Sequence, residues 1–157
     1  MTSASATPGI GSYILFAVAG TTYALPSDEV RHMDMVEDIT RVPNAPAFID
    51  GVVFSRGQLV PVVNLRARFG FERASVDLRS RMIVVQSGTR LIGLVADAAR
   101  EFVRIPGDAI QPTNEALTGM SGRYVGGIAS IGDRLILVLS LERVLNFAEA
   151  QTLGLAN

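Results

Sequence analysis

Any catalysis in this 157-residue chain would have to run through one histidine, scattered carboxylates and serines, and no cysteine at all. His32, with Asp28 and Asp34 on either side of it, is the only residue around which a Ser-His-Asp arrangement could be built. A single histidine without cysteine cannot assemble a structural zinc site, and on its own His32 reads as a surface or half-buried side chain. None of the serines lies in a G-x-S-x-G setting. Asp28, Asp34, Asp50, Asp97 and Asp133 fall at predicted turns or strand ends, where a short acidic side chain serves the backbone, and no spacing singles out a carboxylate pair for acid–base work. The fifteen glycines form neither G-x-G-x-x-G nor a Walker loop. Tryptophan is absent and the few Tyr and Phe fall mostly at core-like positions, so no platform for stacking bases is expected. The sequence therefore implies no catalytic residue, no metal and no cofactor. It points to recognition of another protein.

One residue stands out for that role. In GVVFSRGQLVPVVNLR, residues 51–66, Arg56 sits with Gly57 at the bend between two apolar strands. A turn arginine ahead of a glycine is most simply a solvated loop residue. A rigidly displayed arginine beside apolar strand surface is also the type favoured at interface hot spots. Spacing alone leaves both readings open.

The elements that must hold Arg56 are mostly strands. Tyr13–Val18 and Thr22–Leu25 flank Ala19-Gly20-Thr21, and Met82–Gln86 and Leu91–Val95 flank Ser87-Gly88-Thr89. Val52–Phe54 should pair with Leu59–Val63, and Gly127–Ile131 with Leu135–Leu139. These runs are rich in Val, Ile and Leu. Helices should be few: a short one after Pro26 capped by Ser27, and Leu141–Phe147 capped by Ser140. Pro106–Tyr124 reads as a long loop. Residues 51–66 lie without a gap over 127–142, glycine on glycine, with Asn64 meeting Ser140, both able to cap a following helical turn. The two Gly-Thr hairpins echo each other more loosely. The chain thus reads as two related all-β units, and small closed barrels are the natural solution for strands this short.

At 48 % apolar the chain can bury a core as one domain or two small subdomains. A net charge of −1, from 14 basic and 15 acidic residues spread along the chain, offers no footprint for nucleic acid or anionic lipid. Residues 1–11 read as a flexible leader without signal-peptide character, 12–148 as the domain and 149–157 as a tail. The longest apolar runs, such as Leu135–Leu139, fall far short of the ~20 residues that a membrane span needs, and the chain reads as cytosolic and soluble.

In order, the blocks YALP, ITRVPNAPAFIDGVV, RGQLVPVVNLRARFG, RMIVVQSGTRLIGLVAD and GDRLILVLSLERVL resemble the CheW family of bacterial chemotaxis coupling proteins, over about Ser12 to Phe147. The resemblance implies two intertwined, five-stranded, SH3-like β-barrels sharing a core, with two or three short helices. It implies a non-enzymatic cytoplasmic adaptor that is recruited to membrane-associated receptor arrays. There it would join chemoreceptor cytoplasmic tips to the regulatory domain of the histidine kinase CheA. The family's turn reads Asn-Leu-Arg-Gly and its arginine matters for coupling, so Arg56 and Gly57 carry over while Phe54 and Ser55 depart. Val30 matches the family's V-x-E, whose acid has become His32, and the Asp of V-x-D-L-R has become Asn64. Gly93 and Asp97 match G-L-V-x-D, with Ala99 and Phe102 following, a region that in the family contributes to partner contact. The partner-binding set implied is therefore Val30, His32, Arg56, Gly57, Gly93, Ala99 and Phe102. The departures keep open a related subunit of another chemosensory system, such as one governing type IV pili. A barrel that binds a small ligand or oligonucleotide is the remaining alternative.

Overall fold

The computed structural model describes residues 10–112 and 122–146. Four hairpins fall where the alternating apolar runs put them: β1 (Ile10–Val18) with β2 (Thr21–Pro26), β4 (Ile49–Ser55) with β5 (Gln58–Asn64), β6 (Arg81–Ser87) with β7 (Arg90–Ala96), and β10 (Val125–Ile131) with β11 (Arg134–Leu139). Three further strands, β3 (Val30–Met35), β8 (Ala98–Pro106) and β9 (Ile110–Pro112), complete the set. One sheet runs β8-β1-β2-β11-β10-β9 and the other β3-β6-β7-β5-β4. Each sheet thus holds a hairpin from one half of the chain among strands of the other half. Each hairpin is joined on both flanks, by a parallel pairing, β2 on β11 (Tyr23 opposite Leu137) and β7 on β5 (Gly93 opposite Val62), and by an antiparallel one, β1 on β8 and β6 on β3. This is the intertwined, mainly β architecture expected. One sheet gains a sixth strand in β9, whose counterpart in the other sheet is a single bridge from Thr40 to Val52.

The repeat holds down to its irregularities. Pairing of β3 with β6 skips Arg31 between Val30 and His32, and pairing of β8 with β1 skips Arg100 between Ala99 and Glu101. Asp50 is skipped in β4 and Gly126 in β10. Each bulge turns its strand around the barrel. The matched glycines of the echo have one cause, because the crossing segment lies on them. A Cβ at Gly51 would sit 2.0 Å from the Thr40 carbonyl oxygen, and one at Gly127 2.7 Å from the Ile110 side chain.

Each barrel has its own small interior, Leu15, Ala24, Ile105, Ala129 and Ile136 in one, Val62, Met82, Val84 and Val95 in the other. A larger shared core lies between them, built from both halves and including Phe16, Tyr23, Leu65, Ile83, Leu94, Val125 and Leu139. Rings of Phe16, Tyr23, Phe69 and Tyr124 contact in series through it, at centroid separations of 6.1, 5.1 and 5.5 Å. The buried Arg68 guanidinium lies over Phe48 and Tyr124 and donates to the Val144 carbonyl at 2.9 Å. One arginine thus ties the helical turn Leu65–Arg68 to the carboxyl end of its counterpart, Leu141–Val144.

Two of the three predicted caps form: Asn64 Oδ1 accepts from the Ala67 N–H at 3.1 Å and Ser140 Oγ from the Arg143 N–H at 3.3 Å. The helix that Ser140 starts is shorter than expected, and Phe147 lies outside the described residues. Other local expectations need correction. Ser27 does not cap: it is the first residue of a 3₁₀ turn, Ser27–Glu29, with Pro26 in the cap position and no side-chain bond there. Strand β1 starts at Ile10, inside the expected leader. The expected Pro106–Tyr124 loop contains a 3₁₀ turn at Gly107–Ala109, strand β9 and a second 3₁₀ turn at Gly122–Tyr124, while 113–121 lie outside the described residues. Asp34 lies within β3, not at a turn.

Candidate docking site at the β4–β5 tip

Ser55 and Gln58 form the last pair of the hairpin, leaving Arg56 (φ 52°) and Gly57 (φ 82°) as a two-residue turn. Left-handed geometry at both positions matches the twist of the flanking strands. Gly57 adopts it freely, whereas a side chain there costs about 1 kcal/mol. Ala19 takes the same conformation (φ 52°) in the β1–β2 turn, so the geometry alone does not mark a site. What distinguishes this tip is the side chain displayed. The matching tip in the other barrel is Gly132-Asp133, with Ile131 and Arg134 as its last pair.

The guanidinium end of Arg56 meets strand β3, which barrel closure brings against the tip. Its Nη2 lies 3.4 Å from Asp34 Oδ1, with the guanidinium side chain 65 % exposed. The other Asp34 oxygen accepts from Ser55 Oγ at 3.4 Å and lies 3.3 Å from His32 Nε2, itself 3.4 Å from Ser55 Oγ. So the structure does assemble the one Ser-His-Asp set the sequence permitted. Its geometry is not that of a nucleophilic triad, in which the carboxylate orients one ring nitrogen while the other faces the hydroxyl. Here carboxylate and serine share Nε2, and the serine donates to the carboxylate. The cluster anchors Arg56; it does not activate Ser55.

The remaining expected residues divide between two places. Val30 is half-buried against the shared core beside His32. Ala99 holds the equivalent place on β8, before its bulged arginine, and Phe102, exposed, lies on the same strand. These two belong to the other sheet, away from the Arg56 tip in the strand order. Gly93 is inside its barrel, where a Cβ would sit 2.7 Å from the Met82 sulfur, so its role there is to make room for that side chain. Asp97 is likewise structural in its contacts. It takes Arg66 through both oxygens at 2.8–3.1 Å and the Ala19 N–H at 2.8 Å. Burial pushes this carboxyl up, but the Arg66 hydrogen bonds, the Ala19 N–H and the guanidinium charge outweigh it and hold it below the usual range. Asn64, the departure from the family's Asp, keeps the cap and adds a donor to Asp50 Oδ2 at 3.0 Å, which an aspartate could not supply.

Sequence reasoning missed Asp34 as the partner of Arg56, and it missed the apolar surface next to it. Phe54 and Leu59 face each other across the hairpin with most of their surface exposed, and Met35 on β3 is about half exposed. The signal was available in strand parity: Val60 and Val62 point inward, so Leu59 points out, and its cross-strand partner Phe54 with it. No cluster of three or more metal-ligating side chains occurs among the described residues, and no described helix is long and apolar enough to cross a membrane.

Two barrels that exchange hairpins, with one tip displaying an arginine and the other not, define an interaction module. Residues 12–149 match the model of the CheW-like domain, and the chain belongs to that family. It is 27 % identical to the chemotaxis protein CheW of Klebsiella aerogenes, covering 87 % of this chain and 82 % of that one. It is 30 % identical to the chemotaxis protein CheW of Rhizobium meliloti, over 88 % of this chain and 89 % of that one. The crystal structure of the scaffolding protein TtCheW from Thermoanaerobacter tengcongensis superimposes with a TM-score of 0.82 at 29 % identity, covering 88 % of this chain and 94 % of that one.

Proposed function

We propose that this chain is a non-enzymatic scaffold of a chemotaxis array, joining the cytoplasmic tips of chemoreceptors to the regulatory domain of the histidine kinase CheA. Its place would be the cytoplasm, at membrane-associated receptor arrays. Family membership supports the class. The observation that carries the mechanism is the asymmetry of the two hairpin tips: Arg56 is anchored by Asp34 in one barrel, and Gly132 stands at its place in the other. Two similar barrels with dissimilar tips suit two different partners, as an adaptor requires. Val30, His32, Arg56 and Gly57 would serve one partner, and Ala99 and Phe102 the other, with Gly93 shaping the sheet from within.

The test is titration of the Arg56→Glu variant against a receptor-tip fragment and a kinase regulatory fragment separately. Reversing the charge should weaken one partner by about 2 kcal/mol or more and the other little, at unchanged melting temperature. Equal losses for both would mean overlapping sites and would defeat the two-sided reading. A second reading, a subunit of a different chemosensory system, gains support from one observation. Of the departures from the family pattern, His32 and Ser55 lie in contact and Phe54 adjoins them. Three of the four departures gathered at one tip are what a changed partner produces; the fourth, Asn64, is buried at a helix cap.

A further inference from the structure

The hairpin that displays Arg56 also exposes apolar surface that its fold does not require. Phe54 and Leu59 are 75 % and 64 % exposed. At the matching pair of the other barrel stand Ser130 and Leu135, so a hairpin of this register accepts serine where this one presents a phenyl ring. Open grooves lie on both sides of Phe54. The larger, about 580 Å³, separates the 37–40 segment from the hairpin and reaches Leu59. The smaller, about 360 Å³, reaches Met35 and Met82. Beside the larger groove the crossing segment touches β4 at one bridge, Thr40 to Val52, whereas β9 pairs with β10 at three positions.

Charge around these grooves is one-sided. Glu37 lines both and Asp38 the larger, both exposed, and neither takes part in an ion pair among the described residues. Among the described residues that line these two grooves the one cation is Arg56, in the smaller, and Asp34 already engages it. Large apolar side chains grouped on one exposed surface and rimmed by charge mark a protein–protein contact. Water excluded by the apolar centre strengthens charge pairs at its edge.

From this we infer that the surface around Phe54 docks a partner segment that places an apolar side chain in each groove and sets lysine or arginine against Glu37 and Asp38. The inference rests on the adaptor reading and adds the chemistry of the partner at this site. It is tested by titrating the 157-residue chain and three variants against the kinase fragment and the receptor-tip fragment, at low and high salt. Phe54→Ser, which copies Ser130, should weaken one fragment at least about ten-fold with the melting temperature unchanged. Leu59→Gln reads the same surface from the other strand should Phe54→Ser disturb the fold. Glu37→Lys combined with Asp38→Lys should weaken the same fragment about ten-fold and flatten its loss of affinity with salt. If the charge reversal leaves affinity and salt response unchanged, or if Phe54→Ser and Leu59→Gln both leave the two affinities intact, the inference is overturned. Concentration-dependent self-association that is lost in Phe54→Ser would also overturn it, by making a second copy the occupant. Wild-type chain that binds neither fragment would remove the adaptor reading, and this inference with it.

Discussion

Arg56 occupies a left-handed backbone position that glycine fills at the matching tip, so its side chain is kept at a local cost. Its contact with Asp34 is largely solvent-exposed and contributes little stability in return. Arg56→Gly should therefore raise stability by up to about 1 kcal/mol in denaturant titration while losing the Arg56-dependent partner. A variant that loses stability and keeps both affinities would make Arg56 structural. Two carboxyls should answer pH in opposite directions. Asp97 titrates below its ordinary range, so its contribution is present above the unfolded-state value and fades as pH falls through the folded one. Asp97→Asn should cost about 1–2 kcal/mol at neutral pH, with the gap to wild type closing in acid. Glu29 is pushed up by burial and by neighbouring Asp28, and its Oε1 has no hydrogen-bond partner among the described residues. Its ionisation costs the folded state nothing below the ordinary carboxylate value and costs most above the folded one. Melting curves of Glu29→Gln should thus lie above wild type at neutral pH and coincide with it in acid; the reverse order would mean that the buried carboxylate is favourably paired.

Among the elements, the four hairpins and two of the three helix caps, Asn64 and Ser140, were legible in the sequence because both kinds of feature are local. Alternation marks a strand, and a two-residue turn or a capping side chain acts within three residues of itself. Strands β3, β8 and β9 were not legible. VRHMDM and AAREFVRIP carry charge on half-exposed faces and show no clean period, and IQP is too short to show one. The same lack hid Asp34, because its meeting with Arg56 depends on β3 crossing to a hairpin it does not pair with. The repeated glycines were legible as an echo but not as a cause, since the segment that lies on each belongs to another element. That cause is testable. Gly51→Ala, at φ 140° and facing a backbone oxygen, should cost about 3 kcal/mol or more. Gly132→Arg, at φ 59° in open space, should cost only about 1 kcal/mol. It should also fail to create a second Arg56-type site, because Ala129-Ser130-Ile131 stands there in place of Val53-Phe54-Ser55. Similar losses for the two substitutions in chemical denaturation would show that the crossing segment yields easily.

For the whole molecule, hairpin exchange makes the two barrels one folding unit, and this can be tested by cutting the chain. Residues 72–79 form an exposed connection between the half that ends in the helical turn Leu65–Arg68 and the half that begins with β6. A cut there leaves β1–β2 without β8 and β11 on its flanks, and leaves β6–β7 without β3 and β5. It also parts Phe69 from Tyr124 and the Arg68 guanidinium from the Val144 carbonyl, so the shared core is divided between the pieces. Neither piece can then cover its strand edges or bury its apolar faces, and conformational entropy outweighs what contact remains. Each fragment alone should be unfolded by circular dichroism. An equimolar mixture should recover the β spectrum and partner binding, because every pairing lost is restored by association. The intact chain should unfold in one transition by both denaturant and heat. A fragment that melts cooperatively by itself, or an intact chain with two separable transitions, would mean that the barrels are independent and that the exchanged hairpins are not what unites them.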